Sequence, residues 1–144
     1  MKTVNEMKMT IDSRSVNEGF SRVAIGAFVA SLDPDIEELS DIKAAVSEAV
    51  TNAIIHGYRE KQGKIYITVS IFENNTVRIR IRDKGVGIEN IQQAMEPLFT
   101  TAGSERSGLG FAVMESFMDS VRVTSQMGKG TTVTLKKRIW GKNC

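Results

Sequence analysis

Apolar side chains recur every three or four positions through a long stretch of the first half of the chain. The members of this set are Ile36, Leu39, Ile42, Val46, Ala49, Val50 and Ala53. This spacing predicts a helix that buries one face. Asp33 is a good N-cap, Pro34 suits the first helical position, and Gly57 suits the position past the end. We therefore expect a long central helix that begins near Asp33 and ends at Gly57.

Three polar residues lie beside the apolar face of this predicted helix. Glu48, Asn52 and His56 are four positions apart, so at ~1.5 Å of rise per residue they form one line with roughly 6 Å between neighbours. A carboxylate, an amide and an imidazole are poorly placed there for a purely structural helix. The line therefore marks candidate chemistry, with His56 interpreted as a supporting residue at the helix end.

A strand and another helix are predicted before the central one. Alternating apolar and polar residues indicate a strand over 7–12, and the capping-box spacing of Ser15 and Glu18 opens a helix over about 16–32. This helix is apolar nearly all round, so it is either buried in the core or covered by another chain. The second possibility predicts a homodimer. Arg22 lies beside this surface, and its residue type alone indicates a solvated arginine.

After the central helix the period of the pattern changes to two. Apolar residues alternate over 65–71 and again over 77–81, which predicts a hairpin with one buried face. A short helix over 91–95, a helix over 111–118 and a second hairpin over 121–137 follow. Helices between strand pairs predict an α+β fold, a two-layer sandwich in which helices cover one face of a mixed, mostly antiparallel sheet.

Composition narrows the class of protein. The chain has 144 residues, 41% of them hydrophobic and 25% charged, with a net charge of +2, which predicts a single domain over 1–144 and argues against nucleic-acid or membrane partners. The one cysteine, Cys144, excludes an internal disulfide, and no apolar run approaches the ~20 residues that cross a bilayer. We expect a cytoplasmic protein. The arginine row at 78, 80 and 82 is interpreted as a solvated strand face.

The candidate chemistry comes from the order of several weak signals. Each of them is common by itself, but together they form a constellation that chance rarely assembles: Glu48 and Asn52 on a helix, Asp83-x-Gly85-x-Gly87 after a strand, Gly108-x-Gly110 before a helix, and Gly130-Thr131 before a strand. Neither a P-loop nor the glycine-rich loop and lysine strand of ordinary protein kinases is present. The constellation nevertheless suits a nucleotide.

Each of these residue types has a physical role in such a site. A buried Asp83 accepts a hydrogen bond from the adenine amine and repels the oxygen that guanine presents there. Gly85 and Gly87 let the backbone pass close to the flat base. Asn52 supplies a neutral oxygen of the kind that Mg²⁺ accepts, and Glu48 can align or deprotonate an attacking hydroxyl.

The triphosphate has its own candidate contacts. Glycines at a helix start, here Gly108 and Gly110, leave backbone N–H groups that point at phosphate. The polar stretch before them, with Thr100, Thr101 and Arg106, is suited to fold over the triphosphate as a lid.

The constellation resembles the N, G1, G2 and G3 boxes of the GHKL (Bergerat-fold) ATPase superfamily. Within that superfamily, longer segments are similar to the sporulation anti-sigma F factors over nearly the whole chain. These segments are SEAVTNAIIHG (47–57), PLFTT (97–101), ERSGLGF (105–111) and MESFMD (114–119). The resemblance implies a serine kinase that sequesters a sigma-F-type sporulation factor and phosphorylates a serine of the anti-anti-sigma protein that would displace it.

The resemblance also implies roles for individual residues. Glu48 would be the catalytic base, Asn52 the Mg²⁺ ligand, Asp83 the adenine anchor, and Arg22 a contact for both protein partners. The remaining contacts to ATP or ADP would be Gly85, Gly87, Thr100, Thr101, Arg106, Ser107, Gly108, Leu109, Gly110 and Thr131. Two alternatives remain open: a binding module that holds nucleotide without turnover, and a detached ATPase domain of the histidine-kinase type.

Overall fold

The computed structural model describes residues 1–59, 61–95 and 110–141. Five strands and four α-helices are formed within this part of the chain. They are β1 (Thr3–Asp12), α1 (Val16–Val29), α2 (Ile36–Asn52), β2 (Lys64–Phe72), β3 (Thr76–Asp83), α3 (Ile91–Ala94), α4 (Gly110–Phe117), β4 (Ser120–Gln126) and β5 (Gly130–Arg138). A 3-10 turn (Ala30–Leu32) follows α1, and a π-helical turn (Ala53–Gly57) follows α2 directly.

The five strands form one sheet in the order β1-β2-β3-β5-β4. All four strand pairings are antiparallel, so the α+β class is confirmed, while the described strands form no parallel pair. Tight turns join β2 to β3 and β4 to β5, and such hairpins impose antiparallel pairing. Within the described residues, no helix is both long and apolar enough to cross a membrane.

Strand alternation places the core on the helical side of the sheet. The odd-numbered residues of β2 and β3, from Ile65 to Ile81, are almost fully buried and face the helices. α2 occupies the middle of the helical layer, in contact with α1 and with α4. The apolar periodicity predicted for the central helix is confirmed from Ile42 onwards, because Ile42, Val46 and Val50 are fully buried. The assignment of Ile36 to the buried face was wrong, because this first residue of α2 is 86% exposed.

The structure divides α1 into two faces. Ile25 and Val29 are completely buried, whereas Val16, Phe20 and Val23 are between 56% and 71% exposed. The helix begins where the sequence predicts, but the capping box does not form, because the Ser15 side chain makes no capping hydrogen bond. One side of α1 therefore packs in the core, and the opposite side is solvent-exposed apolar surface.

The start of α2 differs from the prediction. Asp33 is not the N-cap: it has φ +51° and ends the preceding 3-10 turn. Asp35 caps the helix instead, in a reciprocal capping box with Glu38. The Glu38 carboxylate also accepts hydrogen bonds from the backbone N–H groups of Trp140 (2.8 Å) and Gly141 (3.1 Å), so it ties the end of β5 to the start of α2.

Candidate functional site

A cavity of about 590 Å³ opens between the helical layer and one end of the sheet. This volume is within the ~300–1,000 Å³ typical of small-molecule sites. Five residues predicted from the sequence to bind nucleotide line it, namely Asn52, Asp83, Gly87, Gly110 and Thr131. They come from α2, β3, the loop after β3, α4 and β5, so the fold collects them from five separate elements.

Asp83 ends β3 at the wall of the cavity and is only 5% exposed. Its carboxylate accepts a hydrogen bond from the backbone N–H of Gly85 at 2.9 Å. Burial raises the pKa of the Asp83 carboxyl, while the N–H groups of Gly85 and Thr131 oppose that rise. Gly57 makes room for this carboxyl, since a Cβ there would lie 2.8 Å from its carbon. Asp83 therefore presents a buried hydrogen-bond acceptor at the wall of the cavity.

Close backbone contacts hold the loop after β3. The Val86 N–H donates to the Gly57 carbonyl at 2.9 Å, and a Cβ on Gly85 would lie 2.0 Å from that same oxygen. Gly87 has φ +83°, and a Cβ on it would lie 2.5 Å from the carbonyl oxygen of Gln126. Gly87 lines the cavity, whereas the close approach of Gly85 is to the π-helical turn.

Thr131 forms part of a small hydroxyl network at the start of β5. It is 8% exposed, and its hydroxyl lies 2.8 Å from the Ser125 hydroxyl. The Ser125 oxygen accepts a hydrogen bond from the Ile88 N–H at 2.7 Å. Sequence reasoning did not single out Ser125, which links the loop after β3 to the hairpin of β4 and β5.

Glu48 and Asn52 converge on the first residue of α4. A Cβ on Gly110 would lie 3.1 Å from Nδ2 of Asn52 and 3.2 Å from Oε2 of Glu48. The two side chains are one turn apart on α2 and reach the same backbone position, where glycine leaves room for both. A carboxylate and an amide thus approach the same backbone position. Asn52 and Gly110 line the cavity, whereas Glu48 is not among its lining residues.

The other predicted residues lie elsewhere. Arg22 is outside the cavity on α1, where its guanidinium donates to the Ser47 hydroxyl at 3.3 Å and lies 3.5 Å from the Glu18 carboxylate. Its side chain is 44% exposed. Six residues of the predicted lid and glycine box fall outside the described residues: Thr100, Thr101, Arg106, Ser107, Gly108 and Leu109.

Several cavity-lining residues were not predicted as contacts. His56, Arg59, Asn90, Gln93 and Met127 all line the same space. The position of His56, four residues after Asn52, was the only signal in the sequence. The other four lie in loops, in a very short helix or in a hairpin turn, and no local periodicity indicates which way such segments face.

The described side chains at the cavity suit a hard cation such as Mg²⁺ only when a bound molecule supplies further oxygen atoms. Within the described parts of the chain, no group of three or more His, Cys, Asp or Glu residues could hold a metal ion. Mg²⁺ usually binds one or two protein oxygens together with phosphates and waters. The amide oxygen of Asn52 at the cavity fits that pattern, since a nucleotide would complete the coordination.

Comparison with known proteins places the chain in a family. The model of the "Histidine kinase-like ATPase domain" matches residues 14–137. The anti-sigma F factor of Geobacillus thermodenitrificans is 56% identical over 94% of this chain and 93% of its own length. The anti-sigma F factor of Clostridium perfringens (strain SM101) is 52% identical over 94% and 97%, respectively.

Solved structures of low sequence identity share the fold. A Mycobacterium tuberculosis structure of RsbU and RsbW domains superposes with a TM-score of 0.69 at 23% identity, covering 94% of this chain and 33% of that one. The mycobacterial sensor histidine kinase MprB gives 0.57 at 18% identity, covering 92% and 99%. These structures show only a common fold, whereas the family model and the curated relatives show that the chain belongs to the anti-sigma F factor family of histidine kinase-like ATPase domains.

Proposed function

We propose that the protein is an anti-sigma factor that also acts as an ATP-dependent serine kinase. It binds and inhibits a sporulation sigma factor, and it phosphorylates the anti-anti-sigma protein that antagonises this inhibition. The observation that carries the kinase part is the convergence of Glu48 and Asn52 on Gly110 beside the cavity. A nucleotide-binding module needs the amide oxygen, but it has no use for a carboxylate one helical turn away.

A bound nucleotide would have its base against Asp83 and its phosphates towards the start of α4, because both line the same cavity. Asp83 accepts a hydrogen bond from the adenine amine, and Thr131 borders the base with its hydroxyl. The N-terminus of α4, at Gly110, offers backbone N–H groups and a favourable dipole to phosphate. Asn52 would hold Mg²⁺ together with the phosphates. The contacts predicted from the sequence at Thr100, Thr101, Arg106, Ser107, Gly108 and Leu109, which lie outside the described residues, would bind the triphosphate.

Glu48 acts as the base in the transfer step. The partner's serine oxygen attacks the γ-phosphorus, the bond between that phosphorus and the bridging oxygen of ADP breaks, and the hydroxyl proton passes to the Glu48 carboxylate. Transfer of this kind depends mainly on positioning and neutralisation of charge. The approach of both α2 side chains to Gly110 supports a site in which nucleophile and phosphate are aligned together.

Arg22 is proposed as a contact for both protein partners. Half-exposed and held by Glu18 and Ser47, it presents a partly ordered guanidinium, and arginines of this kind are frequent hot spots of interfaces. The names of the relatives imply a sigma factor as partner, and such a partner acts in the cytoplasm. The anti-anti-sigma protein, as substrate, would meet the same surface.

The solvent-exposed apolar side of α1 supports a homodimer. Val16, Phe20 and Val23 are exposed, and Ala27 and Ala30 are exposed as well. Their spacing of four and three residues places them on a single stripe, as on helices that pair with another helix. This stripe lies opposite the buried Ile25 and Val29, so a second copy could pack there without disturbing the core.

A module of the histidine-kinase type, acting without a protein-serine substrate, is the second candidate. The family model and the likeness to MprB favour it at the level of the fold. His56 does not support it as an internal phospho-acceptor, because this residue lines the nucleotide cavity itself. The distinction therefore depends on whether a serine of a separate protein receives the phosphoryl group.

Two substitutions on α2 test the proposal. Glu48→Gln keeps the size and hydrogen-bonding capacity of the side chain but removes its basicity, so Mg·ATP should bind nearly normally while serine phosphorylation slows by roughly 10²–10⁴-fold. Asn52→Ala removes the metal ligand and should weaken Mg²⁺-dependent ATP binding as well as turnover. Calorimetry measures binding, and transfer of labelled phosphate to a candidate anti-anti-sigma protein measures turnover.

The outcome separates the candidates. If Glu48→Gln phosphorylates the partner at the wild-type rate, this glutamate is not the base and the mechanism is wrong. If the wild-type protein binds ATP but labels no partner serine, the binding-module alternative is correct. In a transcription assay, the Glu48→Gln protein should still hold the sigma factor, yet the added anti-anti-sigma protein should keep sigma activity high.

A further inference from the structure

The face of the sheet that points away from the helices is unusually basic. The even-numbered residues of β3 and β4 project there, and the register places them in rows across the strands. One row contains Tyr66, Arg82, Thr132 and Thr124, the next Thr68, Arg80, Thr134 and Arg122, and the third Ser70, Arg78, Lys136 and Ser120. We call this surface, with its central groove of about 950 Å³, the basic sheet face.

Charge is segregated onto the basic sheet face. Six cations line the groove, namely Arg78, Arg80, Arg82, Arg122, Lys129 and Lys136, against one acid, Asp83. The chain as a whole has 19 Lys and Arg residues against 17 Asp and Glu, so without the groove residues 13 cations face 16 acids. The small overall charge therefore hides a concentrated positive field, which attracts an oppositely charged partner.

The cations of the groove form no ion pairs among the described residues, although the charge of Glu6 acts on Arg78. Among the ion pairs of the described residues, none involves Arg80, Arg82, Arg122 or Lys136. The Arg78 guanidinium lies over the Phe72 ring at 5.0 Å. Burial and the charge of Arg80 lower the pKa of Arg78, while the carboxylate of Glu6 opposes that change. Like charges that share a concave surface repel each other, and an anionic partner would relieve that repulsion.

Strand geometry indicates what kind of anion fits. Arg78, Arg80 and Arg82 alternate along β3, so their Cα atoms repeat every ~6.6–6.8 Å. An extended polypeptide has the same repeat for every second side chain, and a guanidinium binds a carboxylate with two parallel hydrogen bonds. A strand-like segment with alternating acids would therefore match the arginine row side chain by side chain.

Nucleic acid fits the basic sheet face less well. Single strands are held by aromatic platforms on which bases stack. Tyr66 is the one aromatic residue among those that line the groove, and the Lys84 ammonium covers its ring at 4.8 Å. The neighbouring threonine hydroxyls instead offer hydrogen bonds to carboxylates and to a peptide backbone.

We propose that the basic sheet face is a docking surface for an extended acidic segment of a protein partner. The surface lies on the opposite side of the sheet from α1 and Arg22. Occupation of one surface therefore leaves the other accessible. The protein would in this way hold an acidic partner without giving up the contact proposed for Arg22. The groove shares Asp83 and Thr131 with the nucleotide cavity, whereas Arg80 and Arg122 do not line that cavity.

The test compares two double charge reversals of equal net charge. A fluorescein-labelled peptide of alternating Glu and Thr is titrated with the full chain, and anisotropy reports binding. Arg80→Glu with Arg122→Glu should weaken binding at least about tenfold. The matched control, Lys43→Glu with Lys61→Glu, alters two lysines outside the groove and should change the affinity less than about threefold. Should the first pair unfold the protein, Arg80→Gln with Arg122→Gln replaces it.

Three results would overturn the proposal. The first is failure of the wild-type protein to bind the acidic peptide more tightly than an alternating Lys-Thr peptide. The second is an equal loss in both double variants, which would reveal only the effect of net charge. The third is tighter binding of an oligothymidylate with the same number of negative charges. ATP binding by calorimetry should be unchanged in both variants, so this test is independent of the kinase proposal.

Discussion

Replacement of Asp83 by asparagine tests the nucleotide site most directly. Asp83 is 5% exposed and accepts a hydrogen bond from the Gly85 N–H. In Asp83→Asn the same oxygen position can still serve Gly85, but the second carboxylate oxygen becomes an NH₂ group. That group cannot accept a hydrogen bond from the adenine amine. The variant therefore changes the base contact while it preserves the shape of the loop.

The size of the effect follows from burial. A hydrogen bond to a charged group in a buried site contributes about 1.5–3 kcal/mol. We therefore expect the affinity for Mg·ATP to fall about ten- to a hundredfold. The new NH₂ group can donate to the guanine oxygen, so the preference for ATP over GTP should decrease at the same time.

The same variant makes a prediction about pH. Burial raises the pKa of Asp83 above its ordinary 3.8 in the folded protein, so the unfolded chain loses this proton first as pH rises. The free energy of unfolding therefore falls as pH rises above 3.8, and it stops falling once Asp83 is ionised in the folded form as well. Relative to the wild type, unliganded Asp83→Asn should gain stability as pH rises above 3.8.

Calorimetric titration with ATP and GTP, and denaturant unfolding at several pH values, measure these effects. Asp41→Asn is a suitable control, because it removes one carboxylate of α2 that pairs with Lys137 and does not line the cavity. Unchanged affinity and unchanged nucleotide preference in Asp83→Asn would remove Asp83 from the base site. A stability difference that does not vary with pH would contradict the raised pKa.

Two further substitutions test the partner surface and the catalytic geometry. Arg22→Glu should weaken sigma-factor and anti-anti-sigma binding by about 2 kcal/mol or more, as expected for an interface hot spot, while ATP affinity stays constant. Normal binding of both partners in pull-down titrations would show that Arg22 is a solvated surface residue and not a partner contact. Gly110→Ala would bring a Cβ to 3.1–3.2 Å from the polar ends of Asn52 and Glu48. Serine phosphorylation should therefore slow by roughly tenfold or more, while the free energy of unfolding changes by less than ~1 kcal/mol. A wild-type rate of phosphorylation would show that catalysis does not depend on these side-chain positions.

The sequence was informative wherever a local period was strong. The alternation over 65–71 and 77–81 correctly indicated the hairpin and its buried side, because a strand with one core face must alternate. The apolar repeat of the central helix correctly indicated its buried face from Ile42 onwards but not at Ile36, which is exposed in the first turn. The helix start was wrong by two residues, since Asp33-Pro34 and Asp35 both resemble a cap, and only the reciprocal bonds between Asp35 and Glu38 distinguish them.

For the site, the sequence identified residue types but not their arrangement. It indicated that Glu48 and Asn52 share a helix edge, and it marked Asp83 and Gly87 as the end of a strand and its loop. It did not indicate that Gly85 packs on the Gly57 carbonyl, or that Met127 lines the same cavity. These contacts join positions far apart in the chain, and no local pattern encodes them.

What the sequence alone determined is the set of elements and the buried side of most of them, because hydrophobic periodicity is a local property of each segment. Tertiary structure decided which elements became neighbours. Pairing of β3 with both β2 and β5 brought Asp83 beside Thr131, and packing of α4 on α2 brought Gly110 to Glu48 and Asn52. It also gathered the arginines of β3 and β4 on one face, since side chains of antiparallel strands align only once their register is fixed.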